Sequence, residues 1–237
     1  MSQLQPAFYT RTGSVAGDLM SLMHWPYTLW HLSYVVIGAA LAPDIDAVIL
    51  SGTVLAFLFG LGIGAHALDE LHDRPLGTRL SPSILRVLGW GGLVVGGGGL
   101  AVAGAILVSP WSLIWGAVGI LLVATYTLEW VNWVHSDLGF AVAWGAFPVM
   151  AGYWAQAESI GLPVIVIAAA ATALSMAQRD LSTPARHVRR RTREASAVVG
   201  DENWDRQRLL DSWERPLRSL AIAHVLLAVA LVLTHVV

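Results

Sequence analysis

Long apolar runs separated by short polar segments dominate the chain. Runs of about 17–25 residues are long enough for a helix to cross the hydrocarbon core of a bilayer. The pattern predicts about seven such helices, which we call spans one to seven, at roughly 20–42, 47–68, 84–108, 111–128, 138–157, 161–179 and 217–236. We therefore expect an all-α, polytopic transmembrane helix bundle that forms a single integral membrane domain over residues 1–237.

Composition agrees with this class and excludes several others. The chain is 56% hydrophobic and 13% charged, whereas soluble domains carry about 25% charged residues. It contains no Cys, which excludes disulfides and thiolate metal sites. All 14 basic residues are Arg, so a retinal protein with a lysine Schiff base is excluded as well. Residues 1–18 are polar and lack the order of a cleavable signal, so we expect the mature protein to begin near Met1.

The arginines predict the orientation of the bundle. They cluster in residues 179–193 and in the connection after span two, and they are absent from the connections after spans one, three and five. The positive-inside rule therefore predicts that spans two, four and six end in the cytoplasm, with the N-terminus on the same side. Residues 181–216 are expected to form a cytoplasmic basic loop and a surface helix. We expect membrane lipids as neighbours and no nucleic-acid partner.

Three polar clusters fall at these cytoplasmic ends, namely residues 66–79, 126–137 and 178–186. In the first, Asp69 and Asp73 are four residues apart and share one face of a helix, with His66 one turn earlier. Charged groups at membrane depth are costly and usually line a polar cavity or a substrate path. The clusters therefore predict a cytoplasm-facing polar cavity, although a solvated helix end would produce the same spacing.

The residue types in these clusters suit a particular chemistry. Carboxylate oxygens without thiolates suit Mg²⁺, which binds through one or two carboxylates together with substrate phosphates. Arginine binds diphosphate oxygens in a bidentate manner. Together these groups could hold and ionise a diphosphate ester, while the apolar bundle houses its hydrocarbon tail. The His and Asp residues could instead form a proton relay.

Two segments resemble the UbiA superfamily of intramembrane prenyltransferases. Residues 65–73 resemble its first motif, Asn-x-x-x-Asp-x-x-x-Asp, and keep both Asp residues, with Ala65 at the Asn position. Residues 135–154 resemble the fifth helix of that family, and Tyr126 lies where these enzymes often have a Tyr before that helix. Asp180 resembles the first Asp of the second motif, whose other position is Pro184.

The resemblance implies a UbiA-like bundle that binds an isoprenyl diphosphate through Mg²⁺ between the two motifs. It implies that Asp69, Asp73 and Asp180 are the metal ligands, and that these residues and Tyr126 are catalytic. Further polar residues of the three clusters are expected to contact the substrate: His66, His72, Arg74, Arg79, His135, Asp137, Arg179 and Arg186. Arg74 and Arg79 could alternatively anchor the chain at the membrane surface, and Glu70, about 100° from Asp69 on a helix, is expected to face a neighbouring element.

Three functions remain open at this point. The first is transfer of the prenyl group to a hydrophobic acceptor, which is the commoner outcome in the family. The second is a terpene cyclase, in which the chain's own double bonds capture the allylic cation. The third is a non-enzymatic binding protein or carrier, which the missing Asn and the incomplete second motif suggest.

Overall fold

The structure, a computed structural model, describes residues 5–11 and 13–235. Within these residues it contains eight helices and one short β-hairpin. The helices are α1 Val15–Leu22, α2 Trp25–Ala40, α3 Ala47–Asp73, α4 Pro82–Leu107, α5 Ser112–Thr127, α6 Asp137–Ala157, α7 Leu162–Arg191 and α8 Arg206–Leu233. The antiparallel hairpin pairs β1 Ala197–Val199 with β2 Glu202–Trp204.

Helices α2 to α8 correspond to the seven predicted spans, which confirms the all-α prediction. Five of them, α3, α4, α6, α7 and α8, are long and apolar enough to cross a membrane. Helix α5 is apolar but has 16 residues, and α2 also has 16 residues, most of them buried inside the bundle. The chain is therefore a multi-pass helical protein, with α2 at its centre.

The connection between the last two helices differs from the prediction. Helix α7 continues to Arg191, and α8 begins at Arg206 and runs without interruption into the last span. Residues 181–216 are therefore mostly helix, with a hairpin in place of a basic loop and no separate surface helix. The extension is stabilised by an ion pair between Arg189 and the buried Glu214, which joins the two helices beyond the predicted membrane boundary.

Helix α2 packs against α6 at backbone contact distance. A Cβ atom added to Gly38 would collide with the carbonyl oxygen of Val149, and one added to Gly152 would collide with the carbonyl oxygen of Val35. Because each glycine faces the backbone of the other helix, a side chain at either position would force the two helices apart. His31 adds a hydrogen bond across this crossing to the Trp144 carbonyl, at 2.8 Å.

The glycine run of α4 serves the same purpose on the other side of the bundle. Gly92 and Gly96 face the backbone of α3, and Gly97 faces Ile120 of α5. Small residues at these positions let the three helices approach closely, where dispersion contacts and packing hold membrane helices together. The helices α3, α4 and α6 each contain a π-helical stretch, at Leu58–Ala65, Val94–Gly99 and Val142–Ala146.

The crossing of α2 and α6 predicts a large loss of stability on a small substitution. Replacing Gly38 by Ala adds one methyl group against the Val149 backbone, and we expect the free energy of unfolding to fall by about 2 kcal/mol or more. Thermal unfolding in detergent, followed by circular dichroism, measures the effect. Gly52→Ala is the matched control, because a Cβ there meets nothing within 4 Å and should stabilise α3 slightly. Equal midpoints for the two variants would contradict the proposed packing.

The predicted orientation can be tested directly because the chain contains no Cys. We expect Ser196→Cys to resist a membrane-impermeant maleimide in intact cells and to react after lysis, since it follows α7. Asp44→Cys, between α2 and α3, should react in intact cells. Both positions are exposed in the structure. The reverse labelling pattern would show that the bundle is inserted the other way.

Candidate functional site

The loop after α3 is held by a buried carboxylate. Glu70 is 1% exposed, and its two oxygens accept hydrogen bonds from the backbone N–H groups of Leu76 and Thr78, at 2.9 and 2.7 Å. The guanidinium of Arg74 donates to the carbonyls of Thr78 and Leu80, at 3.1 and 2.8 Å. Glu70 thus faces a neighbouring element, as expected, and one of the predicted phosphate-binding arginines is used within its own loop.

The second arginine of this loop joins it to α1. The Nε of Arg79 donates to the buried carboxylate of Asp18 at 2.9 Å, and its backbone N–H donates to the same oxygen at 3.2 Å. The Asp18 side chain is 8% exposed, so its carboxylate is shielded from water. This contact links the N-terminal part of the chain to the end of the bundle where α3, α5 and α7 terminate, which we call the arginine-rich end.

Two histidines stack at the interior of the arginine-rich end. The ring of His66 lies 4.2 Å from the ring of His24, with 23° between the planes. The Nδ1 of His66 is 3.0 Å from the carbonyl oxygen of Gly62 in the preceding turn. Asp69 follows one turn later on the same face of α3. Of the predicted residues, His66 and Asp69 are therefore the two that α3 directs towards the interior.

Helix α7 presents three arginines to the same interior. Arg179, Arg186 and Arg190 are spaced by seven and four residues and so share one face of the helix. Arg179 binds Asp137 at the start of α6, at 2.7 and 2.8 Å. Among the residues that the structure describes, Arg186 and Arg190 have no carboxylate within 4.0 Å. We call these two residues the arginine pair.

The charges at the interior are arranged around Asp69 and Tyr9. The guanidinium groups of the arginine pair are the cations that act on the Asp69 carboxylate. Tyr9, in the N-terminal segment, is subject to the same charges. Burial raises the pKa of its hydroxyl far above the ordinary value near 10, Tyr27 and Asp69 act in the same direction, and the arginine pair opposes them. The site thus combines fixed positive charge, one carboxylate and a phenol that stays neutral.

Tyr126 and its aromatic neighbours form the wall beside the arginines. Its ring lies 4.7 Å from Trp144 and 4.9 Å from His135, whose Nδ1 is 3.1 Å from the Tyr126 carbonyl oxygen. The guanidinium carbon of Arg179 lies 5.1 Å from the centre of the Phe140 ring. The wall therefore offers several aromatic faces next to a cation, an arrangement that tolerates positive charge.

An apolar cavity of about 170 Å³ lies among α3, α4, α5 and α6. Its lining near the arginine-rich end includes Leu61, Val123 and Trp144, so it reaches the neighbourhood of Tyr126. Further out, α5 and α6 meet through aromatic side chains, with Trp115 5.6 Å from Phe147. The glycines of the π-helical stretches of α3 and α4 border the cavity.

The three carboxylates predicted to bind Mg²⁺ do not converge. Asp180 is exposed and lies about 100° from the face of α7 that carries the arginines. The Asp73 side chain is 77% exposed. In the described part of the chain, one group of three metal-ligating side chains has its ligand atoms within 4.8 Å, namely His72, Asp73 and Glu129, all at the surface. Of the three, Asp69 is the carboxylate on which Arg186 and Arg190 act electrostatically.

The structure also brings His24 and Tyr27 to the site, together with two residues that the sequence did not indicate, Tyr9 and Arg190. A seven-plus-four spacing from Arg179 and Arg186 would have identified Arg190, because this spacing repeats one face of a helix. The contribution of Tyr9 had no local signal, since it depends on the N-terminal segment folding back onto the bundle.

Searches of protein-family models, curated proteins and solved structures found no match to this chain.

The buried Glu70 predicts a strong requirement for its charge. Glu70→Gln places an amide N–H₂ opposite a backbone N–H, and we expect the free energy of unfolding to fall by about 2–3 kcal/mol. Glu158→Gln makes the same chemical change at an exposed position of the opposite end and should have no effect. Thermal unfolding of both variants measures the difference. Unchanged stability in Glu70→Gln would show that the loop is held by other contacts.

Proposed function

We propose that the protein is a membrane-embedded enzyme that binds an isoprenyl diphosphate, ionises it and transfers the prenyl group to a hydrophobic acceptor. The observation that carries this proposal is the arginine pair. Among the described residues, these two partly buried guanidinium groups have no carboxylate within 4.0 Å, and the interior of the same bundle contains an apolar cavity. A molecule with an anionic head and a hydrocarbon tail complements both features.

The electrostatic argument concerns the cost of burying cations. Taking a guanidinium out of water costs several kcal/mol unless an anion accompanies it. On the same helix, Arg179 and Arg189 meet this requirement with Asp137 and Glu214. Arg186 donates to the Thr183 hydroxyl and Arg190 to the Pro6 carbonyl, but neither has a carboxylate within 4.0 Å among the described residues. A diphosphate would provide oxygens for both, with bidentate hydrogen bonds. This favours an anionic ligand over the proton relay.

In the proposed reaction, the bond between C1 of the prenyl chain and the diphosphate oxygen breaks, and the diphosphate leaves with both electrons. The arginine pair stabilises the charge that develops on the leaving group. The allylic cation then lies against the aromatic faces of Tyr126 and Trp144, which attract positive charge. The acceptor attacks C1 and its proton is taken up by the released diphosphate.

Mg²⁺ remains a prediction from the resemblance. Asp69, together with diphosphate oxygens, would hold the ion, which would add neutralising charge at the leaving group. Asp73 and Asp180 point away from this position, so the arginines carry more of the charge in our proposal than in the resemblance. A requirement for Mg²⁺ can be measured with a chelator.

The carrier remains the second candidate, because the three predicted carboxylates do not form a cluster of metal ligands among the described residues, while Arg186 and Arg190 share one face of α7. A binding protein needs the cavity and the site that binds the anionic head at the arginine pair, which we call the head site. It does not need to ionise the substrate. A terpene cyclase would use the same head site, and its product distinguishes it from a transferase.

The test measures diphosphate release by the purified protein in lipid nanodiscs. Prenyl diphosphates of several lengths are supplied with Mg²⁺ or with EDTA, in the presence of candidate acceptors. We expect release by the wild type and a loss of about 10- to 100-fold in Arg186→Gln and in Arg190→Gln, because each removes charge-assisted hydrogen bonds. Arg191→Gln, at an exposed position of the same helix, is the matched control and should retain activity.

Each outcome assigns the function. A prenylated adduct supports transfer, and a hydrocarbon or terpene alcohol supports a cyclase. Binding of prenyl diphosphate without release, lost in the Arg186 and Arg190 variants, identifies a carrier. Equal release by the wild type and both variants would show that the arginine pair is not the head site.

A further inference from the structure

We propose that the N-terminal segment, residues 5–11, is part of the head site and that the Tyr9 hydroxyl donates a hydrogen bond to the bound anion. This inference rests on the proposed function of the arginine pair. It adds a binding residue from outside the long helices. Residues 5–11 would then lie over the anionic group of the bound ligand.

The segment is fixed in place by contacts at both ends. The Nε of Arg190 donates to the carbonyl of Pro6 at 3.4 Å, and the guanidinium carbon of Arg218 lies 4.4 Å from the centre of the Phe8 ring. At the other end, the backbone N–H of Arg11 donates to the hydroxyl of Ser21 at 2.7 Å. The segment is thereby attached to α7, α8 and α1 at once, and it crosses the arginine-rich end between them.

Tyr9 points from this segment into the interior. Its ring lies 5.3 Å from the ring of His24 and 5.8 Å from the ring of Tyr27, the latter in an edge-to-face arrangement. The packing leaves the ring little freedom, and the hydroxyl lies in the combined field of Arg190, Arg186 and Asp69. Within residues 5–11 and 13–235, this hydroxyl forms no hydrogen bond, so its proton is available to a ligand.

The protonation of the phenol determines what it can bind. Because burial keeps the pKa of Tyr9 far above its ordinary value, the hydroxyl retains its proton at physiological pH. A neutral phenol next to two guanidinium groups cannot compensate their charge, since arginine only donates hydrogen bonds. An anion between them would accept from all three groups. The donor set is that of a phosphate site, with two cations and one neutral hydroxyl.

A purely structural role for Tyr9 makes a different prediction. If the ring only filled space, removing the hydroxyl would leave ligand affinity unchanged, because the aromatic contacts to His24 and Tyr27 would remain. Tyr9→Phe makes this change alone. Tyr153→Phe makes the same change on α6, away from the site, and serves as the matched control.

Calorimetry with inorganic pyrophosphate, with and without Mg²⁺, tests the proposal on the full-length protein in nanodiscs. We expect Tyr9→Phe to weaken binding about 10-fold, through loss of one hydrogen bond to a charged group, and Tyr153→Phe to bind like the wild type. Arg186→Gln is measured in parallel. Weaker binding in Arg186→Gln with wild-type affinity in Tyr9→Phe would overturn the role of Tyr9 and leave the arginine site intact. Wild-type affinity in both would overturn the head site and the inference together.

Discussion

The close approach of α2 and α6 is the constraint on which the rest of the bundle depends. Because Gly38 and Gly152 each face the backbone of the other helix, the relative position of the two helices is fixed without intervening side chains. Helix α2 then continues towards the arginine-rich end, where its first residues follow His24 and include Tyr27. The position of the histidine stack and of the aromatic contacts to Tyr9 is therefore determined by a crossing at the other end of α2.

The arginines of α7 differ in whether a carboxylate of the protein neutralises them. Arg189 is neutralised by Glu214, and this pair joins the last two helices. In the part of the chain that the structure describes, Arg186 and Arg190, on the neighbouring face, have no carboxylate within 4.0 Å, and Asp69 acts on them electrostatically from further away. In the proposed function, an anionic ligand would accompany these partly buried cations and would stabilise the protein on binding.

The sequence predicted the seven helices α2 to α8 and the orientation of Glu70 towards a neighbouring segment, because these follow from hydrophobicity and from helical spacing, although five of the seven helices are long enough to cross a membrane. It did not predict the continuous helix that begins at Arg206, since the mixed charges there are compatible with a solvated surface helix. The sequence also did not show that Asp180 faces away from the arginines. Asp180 follows Arg179 directly, so its side chain lies about 100° further round the helix. Tyr9 could not be predicted, because its environment is created by contacts between residues far apart in sequence.

The apolar cavity among α3, α4, α5 and α6 has a consequence for the source of binding energy in the proposed function. A prenyl tail that entered the cavity from the bilayer would exchange lipid neighbours for protein side chains, without passing through water. Lipid tails are as apolar as leucine, so this exchange gains little from the hydrophobic effect. The shape of the cavity would then limit which tails fit, while most of the free energy of association would come from the charged head. Ligands with the same head and different tails should differ little in affinity as long as the tail fits the cavity.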